Sequence, residues 1–246
     1  MGLRYPAETD LSTRRAFRLL LFFGLSLQLV AVLGCKNLTG SNPQKTEPSL
    51  FQKLTGDDPE DDKTRWDQLF STHDYVFGKE PAQFLKEKIG QIPVGRALDI
   101  AMGEGRNAVF MAKKGFAVEG VDISEVAVQK AKLLARENSV EIKTTVADLN
   151  TYTIKPDTYA LIANIQYLQR SLVPQIKTGL KRGGYLIYEN PTTEELKRQP
   201  QRGLRRDYLL AAGELKRLFS DLEILEYSEG PGEGGQIVAR LVARKK

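Results

Sequence analysis

The sequence predicts an α/β fold, a mostly parallel sheet with helices on both faces. Three observations lead there. From residue 64 onward, short β-rich runs alternate with helical runs, and such alternation builds a parallel sheet covered on both sides. A glycine turn, Gly103-Glu104-Gly105, separates the first of those strands from the helix that follows, as in nucleotide-binding units. The chain closes on two consecutive β-rich runs joined by Glu229-Gly230-Pro231-Gly232-Glu233-Gly234-Gly235, which reads as a hairpin.

The elements follow in order. A helix is expected over residues 82–89, with Pro81 at its first turn. Residues 96–101 read as a short buried strand. Residues 107–114 have helical spacing through Ala108, Met111 and Ala112 and stop at Gly115. The next strand covers 116–121. Ser124 then caps a helix over 125–138, whose apolar face is Val126, Ala127, Val128, Ala131, Leu134 and Ala135. Strands are expected at 141–146 and 159–163. A helix over 172–180 ends in the turn Lys181-Arg182-Gly183-Gly184, and a fifth strand covers 185–189. The hairpin strands are 222–228 and 236–242. No internal repeat is visible.

The amino-terminal quarter has a different character. Arg14, Arg15 and Arg18 precede an apolar run from Leu19 to Leu33. That run is shorter than the roughly twenty residues a membrane span needs and reads as the apolar region of a signal peptide. It ends Val32-Leu33-Gly34-Cys35, which resembles a bacterial lipobox with Cys35 as the lipidated residue. Thr13-Arg14-Arg15-Ala16-Phe17 resembles a twin-arginine export motif. Residues 1–35 are therefore expected to be a targeting segment, giving a lipoprotein-type membrane anchor. An uncleaved helical anchor is the other reading. If the true start lies downstream, the protein is cytoplasmic. Residues 36–63 are rich in Pro, Gly, Asn and Asp, as expected of a flexible linker.

Composition narrows the chemistry. The chain has 246 residues, one cysteine and one histidine, His73. One cysteine forbids a disulfide within the monomer, and no zinc site of clustered His and Cys exists. No metal is expected. The net charge of +5 does not by itself imply nucleic acid, and no dedicated nucleic-acid-binding module is recognisable.

The informative stretch is Asp99-Ile100-Ala101-Met102-Gly103-Glu104-Gly105-Arg106-Asn107. Gly103-x-Gly105-x-x-Ala108 alone also fits a dinucleotide fingerprint. The acids separate the two cofactor classes. Asp99 precedes the glycines, where it would repel a doubly anionic pyrophosphate and favour a cationic sulfonium and ammonium. Asp122 ends the next strand and is placed to accept from ribose hydroxyls. Asp148 follows the third strand, placed to accept from an adenine amino group. A nicotinamide oxidoreductase is disfavoured by Asp99.

With these residues in order, the segment 64–246 resembles the class I S-adenosylmethionine (SAM) dependent methyltransferases, in their small-molecule, tellurite-resistance-type branch. Arg65-Trp66-Asp67, Gly78-Lys79-Glu80-Pro81, Gly120-Val121-Asp122-Ile123-Ser124, Ala147-Asp148-Leu149, Asn164, Tyr167-Leu168-Gln169-Arg170 and Gly183-Gly184 extend the resemblance. It implies a Rossmann-like, seven-stranded, mostly parallel sheet into which an antiparallel carboxyl-terminal strand is inserted. It implies a cofactor site from Asp99, Ala101, Gly103, Gly105, Arg106, Asp122, Ile123, Asp148, Leu149 and Asn164. The family usually has glycine where this chain has Ala101 and a small residue at Met102, so weaker cofactor binding or a loop shifted outward is expected.

Methyl transfer is an in-line displacement governed by alignment and exclusion of water, so no catalytic dyad is required. Candidate catalytic residues are Asn164, Tyr167 and His73. Asn164-Ile165-Gln166-Tyr167 keeps the outer residues of the N/D-P-P-Y motif of amino-group methyltransferases but lacks its prolines. His73 reads best as a solvated surface residue. The expected partner is a small-molecule acceptor. Export would separate the domain from cytosolic SAM. The alternative is therefore an exported, non-catalytic binding protein that reuses the fold.

Overall fold

The computed structural model describes residues 62–199 and 205–246. The targeting segment, Cys35 and nearly all of the linker lie outside the described residues. The first described element is helix α1 (Asp62–Phe70). Then come α2 (Gln83–Lys88), continued by a 3-10 turn over Ile89–Gln91, and β1 (Arg96–Ile100), α3 (Arg106–Lys113), β2 (Ala117–Asp122), α4 (Glu125–Glu137), β3 (Lys143–Val146) and β4 (Tyr159–Ile165). The chain continues with α5 (Val173–Gly179), β5 (Leu180–Pro191), α6 (Glu194–Arg198), α7 (Glu214–Leu218), β6 (Glu223–Pro231) and β7 (Ile237–Arg244).

The seven strands run in the order β3-β2-β1-β4-β5-β7-β6. The first five are parallel, and β7 is antiparallel to both its neighbours. The expected fold class is therefore the observed one. The strand order reverses between β1 and β4, where Asp99 lies beside Ala163 and Ile100 beside Asn164. A reversal of this kind opens a crevice at the carboxyl ends of the strands.

Alternation along the strands divides the core. Leu98, Ile100, Val121 and Ile162 belong to one face's apolar cluster. Ala97, Val118, Leu161 and Ala163 belong to the other, where they meet Ala108, Met111, Val128 and Ala131 of α3 and α4. Ser124 caps α4 as expected, its hydroxyl accepting from the Ala127 N–H at 3.0 Å. The helix expected at residue 172 starts at Val173 behind a 3-10 turn, with Pro174 in its first turn. The Lys181–Gly184 turn is an irregularity within β5: Tyr159 pairs with Leu180, and Leu161 with Tyr185. Gly183 there has φ +76°.

Two buried carboxylates secure the carboxyl-terminal strands. Glu189, on β5, receives the Arg240 Nε of β7 at 2.6 Å. Glu195, fully buried on α6, accepts from Arg198 Nε and Nη2 at 2.9 and 2.8 Å and from the Ile237 N–H at 2.9 Å.

Candidate cofactor and acceptor site

The site grows from the end of β1. Ala101 has φ +51°, Gly103 +53° and Gly105 +84°. The loop thus adopts left-handed backbone geometry at Ala101 despite its side chain. Alanine bears a strain of roughly 1–2 kcal/mol for this. Met102 is buried, and its N–H donates to the Val121 carbonyl at 3.0 Å. A Cβ on Gly120 would lie 2.2 Å from the Met102 sulfur, so that glycine makes room for the larger residue. Gly105 lets α3 approach α4, since a Cβ there would fall 2.6 Å from the Ala131 Cβ.

Asp99 is buried, and its Oδ2 has no hydrogen-bond partner. Burial pushes its carboxyl up to about 7; the Arg106 guanidinium opposes this, Asp122 adds to it, and the Ala108 N–H opposes it. Asp122 is also buried. Its Oδ2 accepts from the Gly103 N–H at 2.8 Å and its Oδ1 from the Ser124 N–H at 2.9 Å. The residue expected to meet a ribose therefore also fixes the glycine turn. Each carboxylate oxygen has a second lone pair for another donor. Asp148 is half-buried and turns on itself, accepting from the Asn150 N–H at 2.8 Å. Ile123 is half-buried, and Leu149 is part of the core.

Asn164 lies beside Ile100 at the end of β4, 1% exposed. The Tyr188 hydroxyl donates to the Tyr167 carbonyl at 2.9 Å. Its oxygen therefore receives the hydrogen bond from Asn164, which must come from the amide NH2. That fixes the amide and leaves Asn164 Oδ1 a buried acceptor without a donor. Gln166, with φ +59°, turns the chain sharply after β4 and donates its N–H to the Glu189 carbonyl at 2.7 Å. The bend therefore forms without the prolines of the related motif. Tyr167 donates to Gln169 Oε1 at 2.6 Å. Burial raises its hydroxyl pKa, and the Asp148, Asp122 and Asp62 carboxylates raise it further. It is a neutral phenol at physiological pH, a donor rather than a base.

The structure brings together Asp99, the glycine turn, Asp122, Asn164 and Tyr167. It does not bring His73 to them. That side chain is fully exposed, with Asp74 at 3.5 Å, and has no geometry for acid–base work. The Arg106 guanidinium reaches the Phe77 and Glu80 carbonyls at 3.2 and 3.4 Å. It lines a groove of ≈ 530 Å³ on the outer side of α3, with Lys79, Lys86, Lys113 and Lys114. That groove is apart from the strand ends where the acids converge. Arg106 serves the site as the first residue of α3 and through its charge on Asp99. Two residues escaped the sequence reading, Glu104 and Lys130. Glu104 lay in plain view between the glycines, but nothing in the spacing says that its side chain is buried.

Comparison with known proteins places the chain. A protein named "Probable S-adenosyl-L-methionine-dependent methyltransferase TehB" from Haemophilus influenzae is 28% identical over 168 residues, 61% of this chain and 57% of that protein. Hemagglutinin 1 of Eikenella corrodens is 24% identical over 156 residues, 60% of this chain and 50% of that one. The chain thus spans about half the length of the curated relatives it matches, 50–57%. Among solved structures, TehB from H. influenzae superposes with a TM-score of 0.56 at 20% identity, covering 75% of this chain and 67% of that one. A geranyl diphosphate methyltransferase in complex with its diphosphate and sinefungin gives 0.54 at 15% identity, covering 67% and 77%. The family model for tellurite resistance protein TehB matches residues 68–239, so the chain belongs to the TehB family.

Proposed function

We propose that the protein is a SAM-dependent methyltransferase acting on a small-molecule acceptor. The observation that carries this is a pair of buried, unpartnered acceptors, Asp99 Oδ2 and Asn164 Oδ1, on adjacent strand ends beside a glycine turn. Buried acceptors are costly without a donor. An ammonium-bearing, cationic cosubstrate supplies donors and charge of the right sign, so the residues fit SAM. Asp99 and Asn164 would hold its charged end, Asp122 its ribose, and Asp148 and Leu149 its adenine. SAM supplies an electrophilic methyl group.

The chain's own residues align and shield. The glycine turn brings backbone N–H groups close, with the Phe70 ring 3.6 Å from where a Gly103 Cβ would stand. Tyr167, a neutral phenol, borders the acceptor side as a hydrogen-bond donor. Tyr167 and Asn164 offer hydrogen bonds rather than a base, which suits a nucleophile that arrives as an anion or a free amine. The retained glycine geometry at Ala101 favours a working cofactor loop over a binding protein released from catalysis.

Calorimetric titration of the purified chain with SAM, S-adenosylhomocysteine (SAH) and NAD tests this. Micromolar binding of SAM or SAH, lost in Asp99→Ala, is expected; binding of NAD alone sinks it. We propose separately that residues 1–35 anchor the protein to a membrane, with Cys35 as the lipidated residue; a working enzyme then needs the domain to face the cytosol, where SAM is made. Its support is the basic cluster, the apolar run and the cysteine that ends it. Mass spectrometry of the amino terminus should find a lipid on Cys35, and Cys35→Ala should release the protein from the membrane fraction.

A further inference from the structure

Segment 71–80 joins α1 to α2; its far end is held by Arg106 at the Phe77 and Glu80 carbonyls and by Lys79 paired with Glu137, and its near end by Lys130. Lys130, on α4, donates from Nζ to three of its neighbouring carbonyls: Phe70 at 3.1 Å, Thr72 at 3.0 Å and Asp74 at 2.8 Å. The same ammonium forms an ion pair with Glu104 Oε1 at 2.5 Å, although that oxygen receives no hydrogen bond; side-chain exposures are 13% for Lys130 and 2% for Glu104. The Tyr75 ring covers it at 5.2 Å, and the Tyr75 hydroxyl donates back to the Lys130 carbonyl at 3.2 Å. One half-buried ammonium thus sits among oxygens from α1, the segment and the glycine turn.

What makes this more than a local staple is Glu104. It sits between Gly103 and Gly105, both left-handed, in the turn assigned above to the cofactor. Its Oε2 also accepts from the Phe77 N–H at 3.4 Å. Phe77 meets Phe70 edge-on, with ring centres 6.1 Å apart, and Phe70 lies against Gly103. Displacing the segment therefore strips Glu104 of the Phe77 N–H and strips Lys130 of its carbonyl partners. Removing Lys130 would leave Glu104 buried without a counter-charge, which is strongly unfavourable, so a single side chain couples the segment to the turn.

We propose that Lys130 is a positioning residue for cofactor binding: it holds segment 71–80 closed on Glu104 and so fixes the Gly103–Gly105 turn. This rests on the assignment of that turn to SAM. Lys130→Met in the full chain removes the charge and keeps the length. SAH affinity by calorimetry is expected to fall about tenfold, within the usual range of coupling between sites, and Lys130→Arg should recover part of it. Chymotrypsin cleavage after Tyr75 and Phe77 gives a readout that general destabilisation does not mimic. In the wild type, SAH should slow that cleavage. In Lys130→Met the cleavage should be fast and insensitive to SAH, while cleavage elsewhere is unchanged. If Lys130→Met does not fold, Glu104→Gln replaces it, with the same expectations. Wild-type SAH affinity and protection in the variant overturn the inference. A wild type that binds no SAH overturns the cofactor assignment itself, and this inference with it.

Discussion

Between the ends of β1 and β4, buried polar atoms stand without partners. Across β5, α6 and β7, Glu189 and Glu195 are met by Arg240 and Arg198 at 2.6 to 2.9 Å. The two regions share a sheet but use buried charge in opposite ways. Around Glu189 and Glu195 it holds strands together. Around Asp99 a carboxylate oxygen is left without a donor, at a cost to the folded chain.

Breaking a satisfied pair should have the largest effect. Arg240→Ala leaves Glu189 buried without its counter-charge and removes the cation 5.5 Å above the Phe84 ring. A loss of about 3 kcal/mol is expected in urea unfolding. Little or no loss would mean that the carboxyl-terminal pairs matter no more than surface ones.

At Asp99 the sign should reverse. Below about pH 4 both folded and unfolded chains hold its proton. Between the ordinary value of 3.8 and the folded value of about 7, only the folded chain holds it. Its contribution to stability is therefore present at low pH and lost as pH rises through 7. Asp67, Glu119 and Glu214 are shifted downward, so their contributions disappear as pH falls below about 4. The ligand-free protein should be most stable in weak acid. Asp99→Asn should raise stability at pH 8 by about 2 kcal/mol and flatten the fall between pH 5 and 8 in thermal melts, while weakening SAM. A stabilised variant that binds SAM normally would separate the open carboxylate from the cofactor. In the wild type, SAM affinity should climb through pH 7 as Asp99 ionises.

The smallest effect belongs to the backbone. Ala101→Gly relieves a left-handed alanine and should stabilise by roughly 0.5–1 kcal/mol, the strain being partly offset by glycine's freedom in the unfolded chain. A destabilised variant would show that the methyl group packs usefully enough to outweigh the strain.

These contrasts mark how far the sequence was legible. The parallel half of the sheet was readable because its signals are local. Ser124 announces α4, Gly103 and Gly105 announce the turn, and apolar spacing gives the helix faces. The three acids could be ordered because each ends or follows a strand. Residues 192–221 could not be read. Helices α6 and α7 have five residues each and no side-chain cap, too few for a periodic pattern, and α6 is secured by Glu195 reaching β7. Unpartnered atoms were equally invisible. The sequence places Asp99 at a strand end, but only packing reveals that Oδ2 has no donor. Asp122 was expected to accept from ribose hydroxyls, and its hold on the Gly103 N–H is visible only in the folded turn.

The position of β7 has a consequence for how the molecule is made. This strand is inserted between β5 and β6, so neither neighbour is paired on that side until it emerges from the ribosome. A nascent chain that has reached Gly235 carries two open strand edges, the kind of surface that templates aggregation. Premature termination before Ile237 should thus be far more damaging than a cut of equal length in the loop after β3. Quality control during synthesis has one late event to wait for, the arrival of a single strand.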